Sequence, residues 1–405
     1  MNTPMHIHIA EKGVDWQSGA AAAFWRPLRK TVAFASNYPD YFAAGDMSVE
    51  KNIQLDPDWL EYAMIPVDND EFVVHAIFNP KAIRCSYPAP LNHWMTKSIA
   101  AIKSGDTERA AKFAGCISHI IGDTGQAAHV FEDQLLKQLM PQGDKCFVIH
   151  STIEKVCGKI ADAEYAPRLL GATMAELCWR LIEELEMLKR RETGEVIPIM
   201  QAILREDNAA AEASATRTAG HCAELFADLL FSLWAIASGK TDGAVDEFDL
   251  RRLIPVNQYC DMLFNYEIML DHIPGREINR PLPLNPGTES DLPGICLLAN
   301  MAPHFRNVRE AFVEYSIPGG VFKYFTALIG LNHHALNQTS AVFKVELDGK
   351  TIFESDALDA ETPLAKVKIE LGNAKLLRLS ARDSRRAPCD TKFFYPVFAI
   401  PRLTK

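Results

Sequence analysis

The sequence predicts a multidomain chain of α and β parts: an all-α helical domain over residues 1–245, then a β-sandwich, jelly-roll-like, over residues 246–405. Three observations carry this. Up to about Lys240 the apolar residues recur at i, i+3, i+4 and i+7, the period of a helix with one buried stripe. From about Asp246 Pro and Gly cluster in "HIPGREINRPLPLNPGTESDLPG", and short runs follow in which apolar and polar residues alternate, as in half-buried strands. Between two of those runs stands Asp348-Gly349, a pair that a tight hairpin turn favours.

The helices are expected in "GAAAAFWRPLRKTVAFA", "WMTKSIAAIKSG", "DTERAAKFAGCISHIIGD", "CFVIHSTIEKVCGKIADAEYA", "MAELCWRLIEELEMLKRR" and "TAGHCAELFADLLFSLWAIASG". Several follow a Ser, Asp or Thr and stop at Gly, as helix capping requires. The strands are expected in "AFVEYSI", "AVFKVELDGKTIFES", "AKVKIELG", "KLLRLSARD" and "FFYPVFAIP". Strands at this spacing suit a sandwich or jelly roll.

A net charge of −10 argues against a broad nucleic-acid-binding surface, so no stable nucleic-acid partner is expected. The nine cysteines stand singly with no CxxC pair, which fits neither a disulfide framework nor a thiolate zinc knuckle. The start "MNTPMHIHIAEKGVDW" lacks the apolar core of a signal peptide, and nowhere do eighteen apolar residues run together. The expectation is a soluble chain with no transmembrane segment and no export signal, cytoplasmic on that evidence.

The stretch "SHIIGDTGQAAHVFED" carries the chemistry. His119 and Asp123 are four apart on a helix, so they share one face and can grip one ion. Gly122 and Gly125 are expected to break the helix and redirect His129. A second helix offers His150 and Glu154 at the same spacing. Taken singly, an i,i+4 His/acid pair is most often a surface ion pair. Both pairs, however, sit in helices whose other residues are apolar. Imidazole and carboxylate suit zinc, and five ligands exceed the need of one tetrahedral ion, so two or more ions are implied.

The pattern His-x3-Asp-x5-His followed by His-x3-Glu resembles the signature of the zinc-dependent phospholipase C family and its relatives, the S1/P1 nucleases. That resemblance implies an all-helical domain with a cluster of three zinc ions. By it, His119 and Asp123 would bind a first zinc, with Asp123 bridging towards another, while His129, His150 and Glu154 would bind a second. "SNYPDYF" resembles the segment that presents an Asp, which makes Asp40 a first-zinc ligand and the general base. "VVHAIFNP" resembles the segment of the fourth ligand, His75, with His93 as its alternative. The family holds its third zinc through an N-terminal Trp and a nearby His. Here the first Trp is Trp16, and His6 or His8 would stand in. Gln126 is followed by Ala127 where the family has Pro, a change that leaves the ligand spacing intact. The Glu at the last position favours the phospholipase side over the nucleases.

Two zinc ions about 3.5 to 4 Å apart can activate a shared water and clamp both oxygens of an in-line phosphoryl displacement. The resemblance therefore implies hydrolysis of a phospholipid or other phosphodiester, with release of a phosphorylated headgroup. A single-strand nuclease or nucleotidase on the same scaffold is the rival, and a non-catalytic zinc- and carbohydrate-binding protein is the alternative outside enzymes. No G-x-S-x-G motif and no Gly-rich phosphate loop competes. "YFTALIGLN", "AVFKVELDGKTIFES", "KLLRLSARDS" and "CDTKFFYP" resemble the NPCBM-type sandwich found beside glycoside hydrolases and proposed to bind carbohydrate. That resemblance implies a glycan or membrane-surface partner for the C-terminal domain. His221, His272, His304, His333 and His334 have no spaced partner and read as structural or surface residues.

Overall fold

The computed structural model describes residues 3–43, 56–63, 65–66, 72–73, 88–130, 149–156, 158–244, 246–253, 255–259, 269–270, 292–297, 310–332, 340–359, 361–384 and 395–405. The chain divides into two compact units, Met1–Val245 and Asp246–Lys405.

The first unit is helical. Its described helices are α1 Thr3–Asp15, α2 Gly19–Trp25, α3 Arg29–Ala35, α4 Tyr38–Ala43, α5 Trp59–Ala63, α6 Pro88–Ser104, α7 Thr107–Thr124, α8 Ile149–Glu154, α9 Met174–Thr193, α10 Val196–Leu204 and α11 Asn208–Ser238. A short antiparallel pair, β1 Ile65–Pro66 and β2 Phe72–Val73, accompanies them. Local chemistry sets several ends. Asp106, Thr173 and Asp207 cap α7, α9 and α11 by accepting from backbone N–H groups of the first turn. α11 ends at Gly239, whose φ of 67° is left-handed. Over α11 an apolar window reaches the length and composition of a membrane span, yet 67% of that window is buried inside the unit. It is the central core helix, with Phe226, Leu229, Leu230 and Leu233 fully covered and packed with Met5, Ile9, Phe113 and Ile117.

Three sequence expectations are corrected. The single helix expected over 19–35 is α2 and α3 joined by a 3₁₀ turn at Arg26–Leu28, because Pro27 has no N–H to continue the ladder. Of the long helix expected over 146–166, the described residues hold only α8. Residues 158–172 are an extended strap instead, tied by tertiary bonds. On α11 the buried Asp228 accepts from the Tyr165 hydroxyl, the Arg168 N–H and the Arg168 guanidinium, and Ser232 accepts from the Leu170 N–H. Gly158 lies so close to Thr216 that a Cβ would stand 1.7 Å from its hydroxyl. The third correction is Gly122, which does not break α7 but lies inside it, and the helix ends at Gly125.

Glycines of α7 let its neighbours approach closely. A Cβ on Gly115 would stand 2.6 Å from the Val32 carbonyl and 2.7 Å from the Ala35 Cβ, so α3 lies against α7 at that point. A Cβ on Gly122 would stand 2.8 Å from His6 Nδ1, so α1 docks there. One on Gly125 would stand 2.2 Å from Cys222 Sγ on α11.

The second unit is a β-sandwich, as the alternating runs predict. Its strands are β3 Glu247–Asp249, β4 Asn257–Tyr259, β5 Met269–Leu270, β6 Gly294–Cys296, β7 Glu310–Ser316, β8 Tyr324–Leu331, β9 Ser340–Leu347, β10 Lys350–Glu354, β11 Leu358–Asp359, β12 Ala365–Glu370, β13 Leu376–Asp383 and β14 Pro396–Thr404. One antiparallel sheet runs β10-β9-β13-β7-β4 with β11 on β9, and the other β12-β8-β14-β6-β5 with β3 on β14. Alternate residues fill the space between them, Val313, Tyr315, Leu377, Leu379, Phe343 and Val345 from one sheet and Phe325, Ile329 and Phe398 from the other. Phe343 and Phe398 meet edge to face with ring centroids 5.3 Å apart. Asp348 and Gly349 turn the β9–β10 hairpin with φ of 49° and 80°. The Asp348 carboxylate also accepts from the N–H groups of Lys375 and Leu376, which fixes the turn to β13.

Two glycine substitutions should move stability in opposite directions. Gly115→Ala forces α3 and α7 apart and is expected to cost about 1–3 kcal/mol. Gly220→Ala, in α11 with nothing within 4 Å of the new Cβ, is expected to add about 0.5–1 kcal/mol. Thermal melting of the two variants checks both signs.

Candidate metal centre

α7 supplies His119 and Asp123 one turn apart, both buried. The close approach at Gly115, a turn earlier on that face, carries the end of α3 past His119. The carbonyl of Ser36 thereby lies 2.9 Å from His119 Nδ1. A carbonyl can only accept, so Nδ1 carries a hydrogen and Nε2 is turned toward the carboxylates. This is the orienting contact that metal-ligating histidines characteristically make. The chain then turns into α4 and brings Asp40 Oδ1 to 3.5 Å from His119 Nε2. Asp123 Oδ2 lies 3.1 Å from the same nitrogen.

The other oxygen of Asp123 faces different imidazoles. Oδ1 lies 3.4 Å from His6 Nε2 and 3.6 Å from His129 Nε2. His129 arrives through a turn in which its N–H donates to the Gln126 carbonyl and the Ala128 N–H donates to the Gln126 side chain. Its Nε2 lies 3.1 Å from Glu154 Oε1 on α8. Ligand atoms of His6, Asp40 and His119 all fall within 4.8 Å of one another.

These separations have a chemical meaning. A charge-assisted N–H···O bond closes to about 2.7–2.9 Å. Two ligands on a tetrahedral zinc, each about 2.0–2.2 Å from the ion, stand about 3.3–3.6 Å apart. Asp40, His6 and His129 sit at the second spacing. The ring of His6 has no exposed surface, stacks on His119 with centroids 4.2 Å apart, and neither of its nitrogens makes a hydrogen bond. A buried imidazole that faces a carboxylate without a hydrogen bond to it is costly, and a cation between His6 and Asp123 would satisfy both. The residues present therefore fit a metal.

The electrostatics agree. Burial, helped by His119, pushes the His6 pKa down to about 4. Burial alone would lower His119 as well, but the Asp123 and Asp40 carboxylates outweigh it and raise it. Burial would raise Asp123, yet the charges around it, His119 and His129 among them, hold its carboxyl well below the usual range. The site is thus built around a carboxylate that stays ionised and imidazoles that compete for it.

Of the residues singled out from sequence, Asp40, His119, Asp123, His129, Glu154 and His6 stand together. His150 lies on α8 one turn before Glu154, but its side chain is outside the described residues, as is all of His75. His8 is exposed on α1. His93 packs edge-on against Phe113, and His221 Nδ1 lies 2.6 Å from Glu192. His272, His304, His333 and His334 lie outside the described residues. Sequence reasoning missed the Ser36 carbonyl, since a backbone acceptor leaves no residue-type signal.

Residues 309–395 match the NPCBM/NEW2 domain family. Among curated proteins none matches. Among solved structures, a CBM51 module from a Clostridium perfringens GH95 protein in complex with methyl-galactose is 20% identical, covering 39% of this chain and 99% of the module, with a TM-score of 0.31. The alpha-toxin of an avian Clostridium perfringens strain is 10% identical, covering 96% of this chain and 84% of the toxin, with a TM-score of 0.35. Alpha toxin from Clostridium absonum is also 10% identical, covering 98% and 91%, with a TM-score of 0.33. The NPCBM resemblance expected from sequence recurs in the family match over residues 309–395.

Two measurements test the centre. Elemental analysis should find two or more zinc ions per chain, with most of the metal lost in a His129→Ala/Glu154→Ala variant. In the chelated protein, the depressed pKa of His6 makes the unfolded chain bind a proton that the folded chain refuses. Stability should therefore fall between pH 6.5 and about 4. In His6→Gln that acid loss should shrink by on the order of 2–3 kcal/mol in urea titrations.

Proposed function

We propose that the first unit is a zinc-dependent phosphodiester hydrolase of the phospholipase C type, releasing a phosphorylated headgroup. The observation that carries this reading is Asp123, whose Oδ2 faces His119 at 3.1 Å while its Oδ1 faces His6 and His129 at 3.4 and 3.6 Å. His119, Asp40 and Asp123, with His75, would hold one ion. His129 and Glu154, with His150, would hold a second, and His6 with Asp123 suits a third. Zinc bound there would supply a Lewis acid that brings a water pKa towards about 7 and offsets charge on the phosphate.

The protein's own groups set the rest. The Ser36 carbonyl and the packing of His6 against His119 fix the imidazoles, so little reorganises when a diester binds. The Asp40 side chain is 38% exposed, whereas the rings of His6 and His119 are fully covered, so solvent reaches the set at Asp40. By the family resemblance its carboxylate would accept the proton of the attacking water. His129 and Glu154, 19% and 26% exposed, share that open rim.

Support comes from the spacing of His119, Asp123, His129, His150 and Glu154, which resembles the signature of the zinc-dependent phospholipase C family. A net charge of −10 disfavours the nuclease reading. The NPCBM/NEW2 match within the second unit supports a glycan-binding role beside the hydrolase.

Assays on a phosphatidylcholine analogue, bis-p-nitrophenyl phosphate and single-stranded DNA separate the readings. Headgroup release and diester cleavage without DNA cleavage is the expected pattern. Asp40→Asn should lower kcat on both diesters about 10²–10⁴-fold. A folded, stable wild type that holds no metal and cleaves none of the three would leave the binding-protein reading in its place.

A further inference from the structure

Helix α10 reads "VIPIMQAIL", and Gln201 is its only polar residue. A helix that is apolar all round belongs in a core, yet only one side of this one is covered. Val196, Ile199, Met200 and Ala202 are buried, while Ile197 and Leu204 are 45% and 41% exposed. Pro198 is exposed beside them. Positions 197 and 204 are seven apart and so lie on one stripe. Of the five large apolar residues exposed among the described residues, two stand on this stripe. That differs from the singly scattered apolar residues found on any surface.

The placement of the helix relates it to the metal centre. Its covered side forms a small core of its own with Ala127, Ala128 and Val130, from the turn that carries His129, and with Ile153, next to Glu154. His129 and Glu154 belong to the open rim of the centre, so the covered side of α10 packs beside that rim. Exposed cations stand at its ends. Arg190 and Arg191 close α9, and Arg205 caps α10. Nearby acids are engaged elsewhere, Glu195 with Arg217 and Ser214, and Glu192 with His221. Glu206 and Asp207 remain exposed past the helix end, Asp207 as the cap of α11.

We propose that the outer face of α10, with Ile197, Pro198 and Leu204 between these arginines, docks the first unit onto a phospholipid surface. The aliphatic side chains enter the boundary of headgroup and acyl chain, and the guanidinium groups meet lipid phosphates. Since the whole chain carries −10, the apolar contribution leads and a zwitterionic bilayer suffices. The proposal rests on the phosphodiesterase reading, which requires the centre to reach a diester at headgroup depth.

Sedimentation with phosphatidylcholine vesicles, with and without an anionic lipid, tests it on the full chain. Wild type should co-sediment, and Ile197→Gln/Leu204→Gln should bind about tenfold or more weakly. The same variant should keep the wild-type melting temperature and the wild-type rate on soluble bis-p-nitrophenyl phosphate, while its rate on vesicle lipid falls with binding. Unchanged sedimentation of the variant, or no sedimentation of wild type, overturns the proposal. So does a wild-type dimer that the variant converts to monomer, which would assign the face to a second copy of this chain. Diester cleavage without vesicle binding would leave the enzymatic reading intact, whereas vesicle binding without any cleavage would remove that reading and leave the surface.

Discussion

One buried carboxylate organises the first unit. Asp123 is nearly inaccessible and ionised, and it divides its oxygens between His119 on one side and His6 and His129 on the other. Such a charge is tolerable inside a protein only with positive or hydrogen-donating partners around it. That demand explains why α1, α4, the turn after α7 and α8 all converge on the end of one helix. Each brings a group to the same place, and a cation bound among them would be the remaining partner.

The small residues of α7 make this convergence physical. Side chains at Gly115 and Gly122 would hold α3 and α1 off the helix, and the Ser36 carbonyl and the His6 ring would then fall short. Gly125 does the same for α11, where Cys222 supports the turn that leads to His129. The strap of residues 158–172 extends the arrangement. Anchored to Asp228 and Ser232 on α11, it joins α8 to α9 without helix of its own, and its backbone finds partners in side chains. Charge burial at the centre thus depends on backbone approach at a few glycines, and the geometry of the centre depends on both.

The two units divide labour by their chemistry. Carboxylates and imidazoles gather at one centre in the helical unit, where i,i+4 spacing places His119 and Asp123 on one helix face. The sandwich buries aliphatic and aromatic side chains between its sheets, and on its outer faces it pairs charges such as Arg378 with Glu314 and Glu346.

Both fold classes were legible because periodicity is a local property: 3.6-residue repeats before Lys240, alternation and an Asp-Gly turn after it. His119 with Asp123, and His150 with Glu154, were legible because helical spacing converts directly into a shared face. The breaks misled where tertiary contact overrides local preference. Residues 158–166 have helical texture but straighten because Asp228 and Trp16 hold them. Gly122 looks like a helix stop but serves as a seat for His6. Which histidine of "MHIHIA" turns inward, that Asp40 meets a residue 79 positions away, and that Ser36 sets a tautomer were all decided by helix packing. Contacts between distant segments leave no periodic trace in the chain, and backbone carbonyls look alike in every residue, so these features exist only once the helices have closed on Asp123.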